Sequence, residues 1–197
     1  MKSLILASAS PARRRLLVAA GIDPVVIVSD LDESTVDASD ASVLAGTLAA
    51  MKAQAVAARR PEGDLILGCD SVLAFDGEVL GKPADADEAI RRWQAMRGKA
   101  GVLYTGHCLI EPPRSRQIAE VSSTTVHFAD VSDEEIDRYV RTGEPLKVAG
   151  AFTIDGIGSP FVDRIDGDHG TVVGLSMPLL RRLLAGLDLS ITDLWRN

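Results

Sequence analysis

Two long strand-like stretches in the second half of the chain constrain the fold more than any other feature. Residues 101–111 (GVLYTGHCLIE) and 117–130 (QIAEVSSTTVHFAD) are rich in apolar and β-branched residues, and the short polar turn PPRSRQ, which ends at the first residue of the second stretch, joins them. Strands joined by so short a turn pair antiparallel, because a parallel pair requires a crossover of a dozen or more residues. The sheet therefore cannot be wholly parallel.

The first half of the chain alternates strand-like and helix-like segments instead. An apolar strand at residues 3–7 leads to a helix that starts at Pro11, with Ser10 as its N-cap. The further elements are a strand, a long alanine-rich helix, and a strand that ends in a hairpin turn, at residues 24–29, 41–59 and 64–75. Such alternation is typical of an α/β domain, so we predict an α/β fold with a mixed, twisted sheet and flanking helices.

The second half contains further helices between its strands. Asp85 with Glu88, and Ser132 with Glu135, have the spacing of capping boxes, and MPLLRRLLAG forms the last clear helix. Residues 150–175 are predicted to form short strands and glycine-rich loops.

Composition limits the class of protein. The chain has 197 residues, 46% of them hydrophobic and 25% charged, which suits one globular domain spanning residues 1–197. A net charge of −7 argues against a basic face for duplex nucleic acid but allows a local basic pocket for a small anion. No apolar run approaches the roughly 20 residues of a membrane span, and no signal peptide is evident. Cys69 and Cys108 form no CxxC pair, so they are expected to be free thiols in a reducing compartment. Together these features predict a cytoplasmic protein without a membrane partner.

The start of the first helix combines hydroxyl groups with positive charge. Ser8 and Ser10 precede the helix, and Arg13 lies in its first turn. A helix N-terminus has unpaired N–H groups and partial positive charge, so hydroxyls, amides and a guanidinium can converge there on a phosphoryl group. A plain N-cap with solvated arginines accounts for the same residues equally well.

Four charged residues elsewhere in the sequence are candidates for binding or acting on a phosphate group. Asp70 interrupts the apolar run LILGCDSV, where an unpaired buried carboxylate would be costly. Lys52 is the one charge on an apolar helical stretch, Lys82 lies in a rigid LGKP loop, and Glu33 lies in an acidic loop. Glu33 and Asp70 together would suit a hard metal ion, Mg²⁺ or Mn²⁺. The alternatives are a bulge that exposes Asp70 and solvated positions for the other three side chains.

Several familiar sites are absent from the sequence. It has no GxGxxG at the first strand–helix junction, no GxxxxGK[ST] and no GxSxG. The three histidines are widely scattered, which argues against a histidine-based zinc site.

The ordered set of motifs resembles the Maf family. LASASPARRRLL, LAAMKAQAVA, GCDSVLAFDGEVLGKP, YTGH, RYVRTGEPLKVAGAFTIDGIG and VVGLSMPLL occur in the order expected of that family, over nearly the whole chain. The resemblance implies a mixed sheet with two lobes around a central cleft, similar to the fold of the inosine triphosphate pyrophosphatases. It also implies hydrolysis of nucleoside triphosphates to monophosphate and pyrophosphate with a divalent metal, as a house-cleaning activity against non-canonical or modified nucleotides.

The resemblance also assigns roles to individual residues. The positions that match its phosphate-binding loop and polar cleft are Ser8, Ser10, Arg13, Glu33, Lys52, Asp70 and Lys82. Asp70 is the implied proton acceptor, and Glu33 and Asp70 are the implied metal ligands. The cations are expected to neutralise the triphosphate so that water can approach its α-phosphorus.

Three positions depart from the uridine/thymidine-type branch of the family. That branch usually has arginine, threonine and glutamine where this chain has Ala12, Ser71 and Asp155. The branch that acts on 7-methyl-GTP carries an acid near the last of these positions. We therefore expect Ser71 and Asp155 to contact the substrate, with the preferred base left open.

Two other functions remain open at this point. A non-catalytic nucleotide-binding regulator of septum formation, the role in which the family was first described, would share the phosphate site but would not need Asp70. A phosphatase with Asp70 as nucleophile typically has a second acid two residues later, where this chain has Val72. The expected partner is the nucleoside triphosphate, and a homodimer is also compatible with the resemblance.

Overall fold

A computed structural model describes residues 2–33, 36, 39–60 and 65–196, and within them lies a mixed sheet with helices on both faces. The strands are β1 (Leu4–Leu6), β2 (Val25–Val26), β3 (Leu65–Phe75), β4 (Glu78–Leu80), β5 (Ala100–Glu111), β6 (Arg116–Phe128) and β7 (Val162–Asp166). The helices are α1 (Pro11–Ala19), α2 (Ala41–Ala57), α3 (Ala86–Met96), α4 (Asp133–Arg141), α5 (His169–Val173) and α6 (Met177–Gly186). The predicted α/β class is confirmed.

The sheet leaves an opening along one edge of β3. Its strand order is β2-β1-β3-β5-β6-β7, with β4 also paired to β3. The strand β1 runs parallel to residues 65–67 of β3, and β4 runs antiparallel to residues 73–75. Among the described residues, no strand pairs with residues 68–72 along this edge. The opening therefore lies just beyond the carboxyl end of β1, where α/β sheets commonly bind their ligands.

Two of the four apolar clusters among the described residues lie at opposite ends of the sheet and correspond to the predicted lobes. One core packs α1 and α6 against the β1 end of the sheet and includes Leu17, Leu67 and Leu180. The other lies at the far end of β3 and β5, where the Trp93 ring makes edge-to-face contacts with Phe128 and other aromatic rings. The opening along β3 lies between these cores.

The helix α2 packs on the opposite face of the sheet from α1. Its backbone lies close to the strands because two glycines face it. A Cβ atom at Gly68 would overlap the carbonyl oxygen of Ala49, and one at Gly106 would overlap that of Ala45. Gly106 pairs across the strands with Asp70. The absence of side chains at these two positions therefore lets α2 approach the segment of β3 that carries Asp70.

Some secondary-structure predictions need correction. The strand predicted at 24–29 is limited to Val25–Val26, and the helix predicted to residue 59 ends at Ala57. The stretch 150–175 contains the short helix α5, which Asp168 caps through the amide of Thr171. Parts of two predicted segments lie outside the described residues: positions 34, 35, 37 and 38 of the acidic loop, and position 64, the first residue of the strand predicted at 64–75.

No helix within the described ranges has both the length and the apolar character that crossing a membrane requires.

Candidate active site at the open edge of β3

A buried lysine joins two carboxylates on the α2 side of the sheet. The Nζ atom of Lys52 lies 2.6 Å from Oδ1 of Asp70 and 2.8 Å from Oε1 of Glu33. The side chains of Lys52 and Asp70 are 10% and 11% exposed, whereas that of Glu33 is 52% exposed. The strand β3 continues through Asp70 without a bulge, so the alternative of an exposed carboxylate is wrong. The ion pair explains how this carboxylate is tolerated inside an apolar strand.

The same two carboxylates suit a hard metal ion. Glu33 and Asp70 each place one oxygen on the Lys52 ammonium and have a second carboxylate oxygen to offer, and Mg²⁺ is commonly bound by one or two carboxylates together with phosphate and water oxygens. The part of the chain that the structure describes contains no group of three or more histidine, cysteine, aspartate or glutamate side chains suited to a metal. The donor set thus fits a metal whose remaining ligands come from a phosphorylated substrate, and it does not resemble a structural zinc site.

On the other face, Arg13 is a buried cation held by neutral oxygen atoms. It is 8% exposed, and its Nε, Nη1 and Nη2 atoms donate to the carbonyl of Gly174, the hydroxyl of Ser8 and the hydroxyl of Ser71, at 2.8, 2.9 and 3.0 Å. No carboxylate among the described residues forms an ion pair with it. A buried charge normally has an opposite charge beside it, so this guanidinium is well suited to an anion.

The two serines before α1 have different hydrogen-bonding duties. The Ser8 hydroxyl accepts from Arg13 Nη1 and from the amide of Ser10, and within the described ranges its own proton has no acceptor. The Ser10 hydroxyl accepts from the amide of Arg13 at 3.4 Å, as the predicted N-cap of α1. Ser8, Ser10 and Arg13 thus lie together, and Ser71 joins them through its contact with Arg13.

Lys82 stands apart from these groups. Its side chain is exposed and makes no hydrogen bond or ion pair within the described ranges. The carbonyl of the preceding Gly81 accepts from Arg92 Nη1 at 2.6 Å and from the amide of Gly150 at 3.1 Å. The loop is therefore anchored while its cation is free to meet a ligand.

Asp155 also lies outside the two clusters. Its Oδ2 atom pairs with Nη2 of Arg15 at 2.9 Å, so a residue of α1 already neutralises it. Its loop is held by Glu144, whose carboxylate accepts from the amides of Ile157 and Gly158 at 3.1 and 3.0 Å and also from Thr153. These hydrogen bonds lower the pKa of Glu144 against the opposing effect of its burial.

The sequence did not reveal a chain of hydroxyl groups that continues from Ser71. Ser71 Oγ lies 2.8 Å from Oγ1 of Thr105, which donates to the carbonyl of Thr171 at 2.8 Å. The threonine in the YTGH motif was the available indication, since Thr105 pairs with Ser71 across the strands. The register of β3 against β5, which brings them together, cannot be deduced from the motif itself.

Two other groups near the site have pKa values unsuited to proton transfer near neutral pH. Burial raises the pKa of the Cys69 thiol to about 12, so this free cysteine is not a thiolate nucleophile. Burial, assisted by the charge of Arg13, lowers the pKa of His107 to about 4. Its Nε2 atom accepts from the amide of Ser176 at 2.9 Å, so the neutral ring carries its proton on Nδ1, 3.0 Å from the Thr105 carbonyl.

Comparisons with known proteins identify a family. A family described as Maf-like protein matches residues 3–187. Three relatives, each named nucleoside triphosphate pyrophosphatase, come from Salinispora tropica, Streptomyces coelicolor and Trichormus variabilis. They are 63%, 57% and 54% identical over 98% of this chain, and the matches cover 87%, 95% and 97% of their own lengths.

Among solved structures, a nucleoside-triphosphatase described as a dITP/XTP pyrophosphatase, from Mycobacterium abscessus, aligns over 95% of this chain and 98% of its own. The TM-score is 0.45 and the identity 12%, which is too distant to support an inference about function.

Proposed function

This chain belongs to the Maf family, and we propose from that premise that it hydrolyses nucleoside triphosphates to nucleoside monophosphate and pyrophosphate. Relatives that are 54% to 63% identical over nearly the whole chain carry the name nucleoside triphosphate pyrophosphatase, which supports a hydrolase. The proposed attack is at the α-phosphorus, from which pyrophosphate departs as the leaving group in one step.

One observation in the structure carries the proposal. Arg13 is a buried guanidinium without a carboxylate partner in the described part of the chain, and it lies beside Ser8, whose hydroxyl proton is uncommitted. A polyphosphate chain would supply the negative charge that Arg13 lacks and an acceptor for the Ser8 proton.

In this function the carboxylate of Asp70 would act on the attacking water. Its Oδ1 atom is held by Lys52, while Oδ2 makes no hydrogen bond within the described residues. Oδ2 is therefore the atom that would accept a proton from the attacking water. Lys52 keeps the carboxylate in place, and Lys82 on its anchored loop adds positive charge towards the phosphates.

Glu33 and Asp70 would hold a divalent metal, Mg²⁺ or Mn²⁺, in this function. Bound there, the metal would neutralise phosphate charge and polarise the phosphoryl oxygens. Asp155 would contribute to the choice of base. Once its ion pair with Arg15 is broken, its carboxylate would favour a base that is rich in hydrogen-bond donors or positively charged.

A panel of canonical and modified nucleoside triphosphates, including 7-methyl-GTP, tests the function. The purified protein is incubated with Mg²⁺ or Mn²⁺, and pyrophosphate and orthophosphate are measured separately. Release of pyrophosphate from at least one substrate, and its loss in Asp70→Asn, are expected. Binding of nucleotides without release of either product would favour the non-catalytic regulator instead, and orthophosphate as the first product would favour a phosphatase. A preference for modified over canonical nucleotides would support the house-cleaning role.

A further inference from the structure

We propose that Thr105 is a positioning residue that fixes the Arg13 guanidinium through Ser71, an inference that rests on the anion-binding role of Arg13 proposed above. Thr105 is fully buried on β5, directly across from Ser71 on β3. Its hydroxyl oxygen lies 2.8 Å from that of Ser71 and 2.8 Å from the carbonyl oxygen of Thr171. It thus lies between the arginine-binding serine and the start of α5.

The number of available protons fixes the direction of this chain. A carbonyl oxygen can only accept, so the single hydroxyl proton of Thr105 is donated to Thr171. Thr105 can therefore only accept from Ser71, whose own proton is used in that contact. Ser71 Oγ is left as an acceptor, and Arg13 Nη2, which can only donate, lies 3.0 Å from it. Ser71 consequently has no hydroxyl proton left for a phosphate, in contrast to Ser8.

The far end of the chain is itself fixed. The carboxylate of Asp168 accepts from both the amide and the hydroxyl of Thr171, at 2.9 and 3.0 Å, which holds the first turn of α5. Gly174 directly follows α5, and its carbonyl oxygen accepts a hydrogen bond of 2.8 Å from Arg13 Nε. The α5 segment therefore holds Arg13 at two points, directly through Gly174 and indirectly through Thr105.

The consequence for Arg13 is a defined set of free donors. A guanidinium has five N–H groups, and three are engaged by Gly174, Ser8 and Ser71. The other two are available to an anion only while the plane of the group stays fixed. Without the Thr105 hydroxyl, the Ser71 proton would lose its buried acceptor and could turn towards Arg13, which would remove the contact that orients Nη2.

Binding of inorganic pyrophosphate, measured by titration calorimetry, tests the inference independently of catalysis. Thr105→Val keeps the shape of the side chain but removes its hydrogen bonds, and should weaken pyrophosphate binding about tenfold. Thr105→Ser keeps the hydroxyl and should bind within about threefold of wild type. Thr142→Val is the matched control, since it removes a threonine hydroxyl bonded to a backbone carbonyl in the other lobe, and should leave binding unchanged.

A double-mutant cycle separates positioning from a general structural effect. If Thr105 acts through Arg13, Thr105→Val should have little further effect on pyrophosphate affinity in an Arg13→Ala background. An equal loss in both backgrounds, or unchanged affinity in Thr105→Val alone, would overturn the inference. If Thr105→Val does not fold, Ser71→Ala takes its place in the same cycle.

The assay also distinguishes this inference from the proposed function. Wild-type protein that binds pyrophosphate but hydrolyses no nucleoside triphosphate would contradict the function, while the cycle would still decide the role of Thr105. Failure of the wild type to bind pyrophosphate at all would overturn the anion site and the inference together.

Discussion

Lys52 and Asp70 are joined across the contact between α2 and β3 by an ion pair of 2.6 Å, with both side chains about one-tenth exposed. Neither charge would be stable alone at this depth, and each determines where the other can lie. The lysine engages one carboxylate oxygen, and the second makes no hydrogen bond within the described residues. The proposal that this second oxygen accepts a proton from water is the basis of the first prediction.

Asp70→Asn should lower turnover by roughly 100-fold or more, because the amide retains the shape but cannot accept a proton from water. It should also cost roughly 1–3 kcal/mol of stability, since the ammonium of Lys52 loses a buried charged partner. The measurements are steady-state pyrophosphate release and urea unfolding. Asp188→Asn, at an exposed carboxylate, is the control for loss of one charge. Near-normal turnover would remove Asp70 from the mechanism.

Arg13 should matter far more than its two neighbours in the sequence. Arg13→Ala should lower kcat/KM by roughly 30- to 1,000-fold, because a buried charge-assisted contact to phosphate is lost. Arg14→Ala and Arg15→Ala should each cost less than about fivefold, since their side chains are 53% and 64% exposed in surface ion pairs. The three variants are compared on one substrate at fixed ionic strength. Equal losses in all three would indicate a diffuse positive field in place of a specific contact.

Activity should depend on Mg²⁺ or Mn²⁺, and excess chelator should abolish it. Glu33→Gln should raise the metal concentration for half-maximal activity by roughly tenfold or more, because one of the two proposed carboxylate ligands would be lost. Glu120→Gln, at a similarly exposed carboxylate, should leave that concentration unchanged. Zinc should not replace magnesium, because the site offers oxygen ligands. Full activity in chelator would contradict the proposed roles of Glu33 and Asp70.

The parts of the site that could be predicted from the sequence are those marked by a local anomaly. Asp70 stood out because a carboxylate interrupted an apolar strand, and Arg13 because it followed two serines at a helix start. The partners of Arg13 could not be predicted, since its contact with Gly174 joins residues 161 positions apart. Such contacts depend on strand register and helix placement, which local patterns do not encode.

The same distinction applies to the fold. The antiparallel pairing of β5 and β6 followed directly from their length and short turn. The helix α5 was missed because five residues are too few for a recognisable helical period, although Asp168 and Gly174 occupy capping positions at its two ends.

The contact between α2 and the sheet should be sensitive to a single methyl group. Gly106→Ala should destabilise the protein by roughly 1–3 kcal/mol and lower activity as well, because the new Cβ would displace α2 and with it Lys52. Gly46→Ala lies on the facing helix, and its Cβ would meet only a methyl group of Val121, at 3.1 Å. This control should be neutral, or should stabilise by up to about 1 kcal/mol through helix propensity. Unfolding midpoints and kcat/KM are measured for both, and an unaffected Gly106→Ala would show that α2 can move without consequence.

The protein should lose stability in mild acid through His107. Its pKa is about 4 in the folded protein against an ordinary value of 6.5, because burial disfavours the charged ring. The unfolded chain therefore binds this proton more readily, and stability that is present above pH 6.5 is lost as the pH falls towards 4. The loss should reach about 2 kcal/mol by pH 5 and about 3 kcal/mol at pH 4.

In His107→Gln, which cannot titrate but can still accept from the amide of Ser176, the free energy of urea unfolding should change less between pH 7 and pH 5. His169→Gln, at an exposed histidine, should keep the wild-type dependence. Equal pH dependence in His107→Gln and wild type would show that carboxyl groups, and not this histidine, govern the loss.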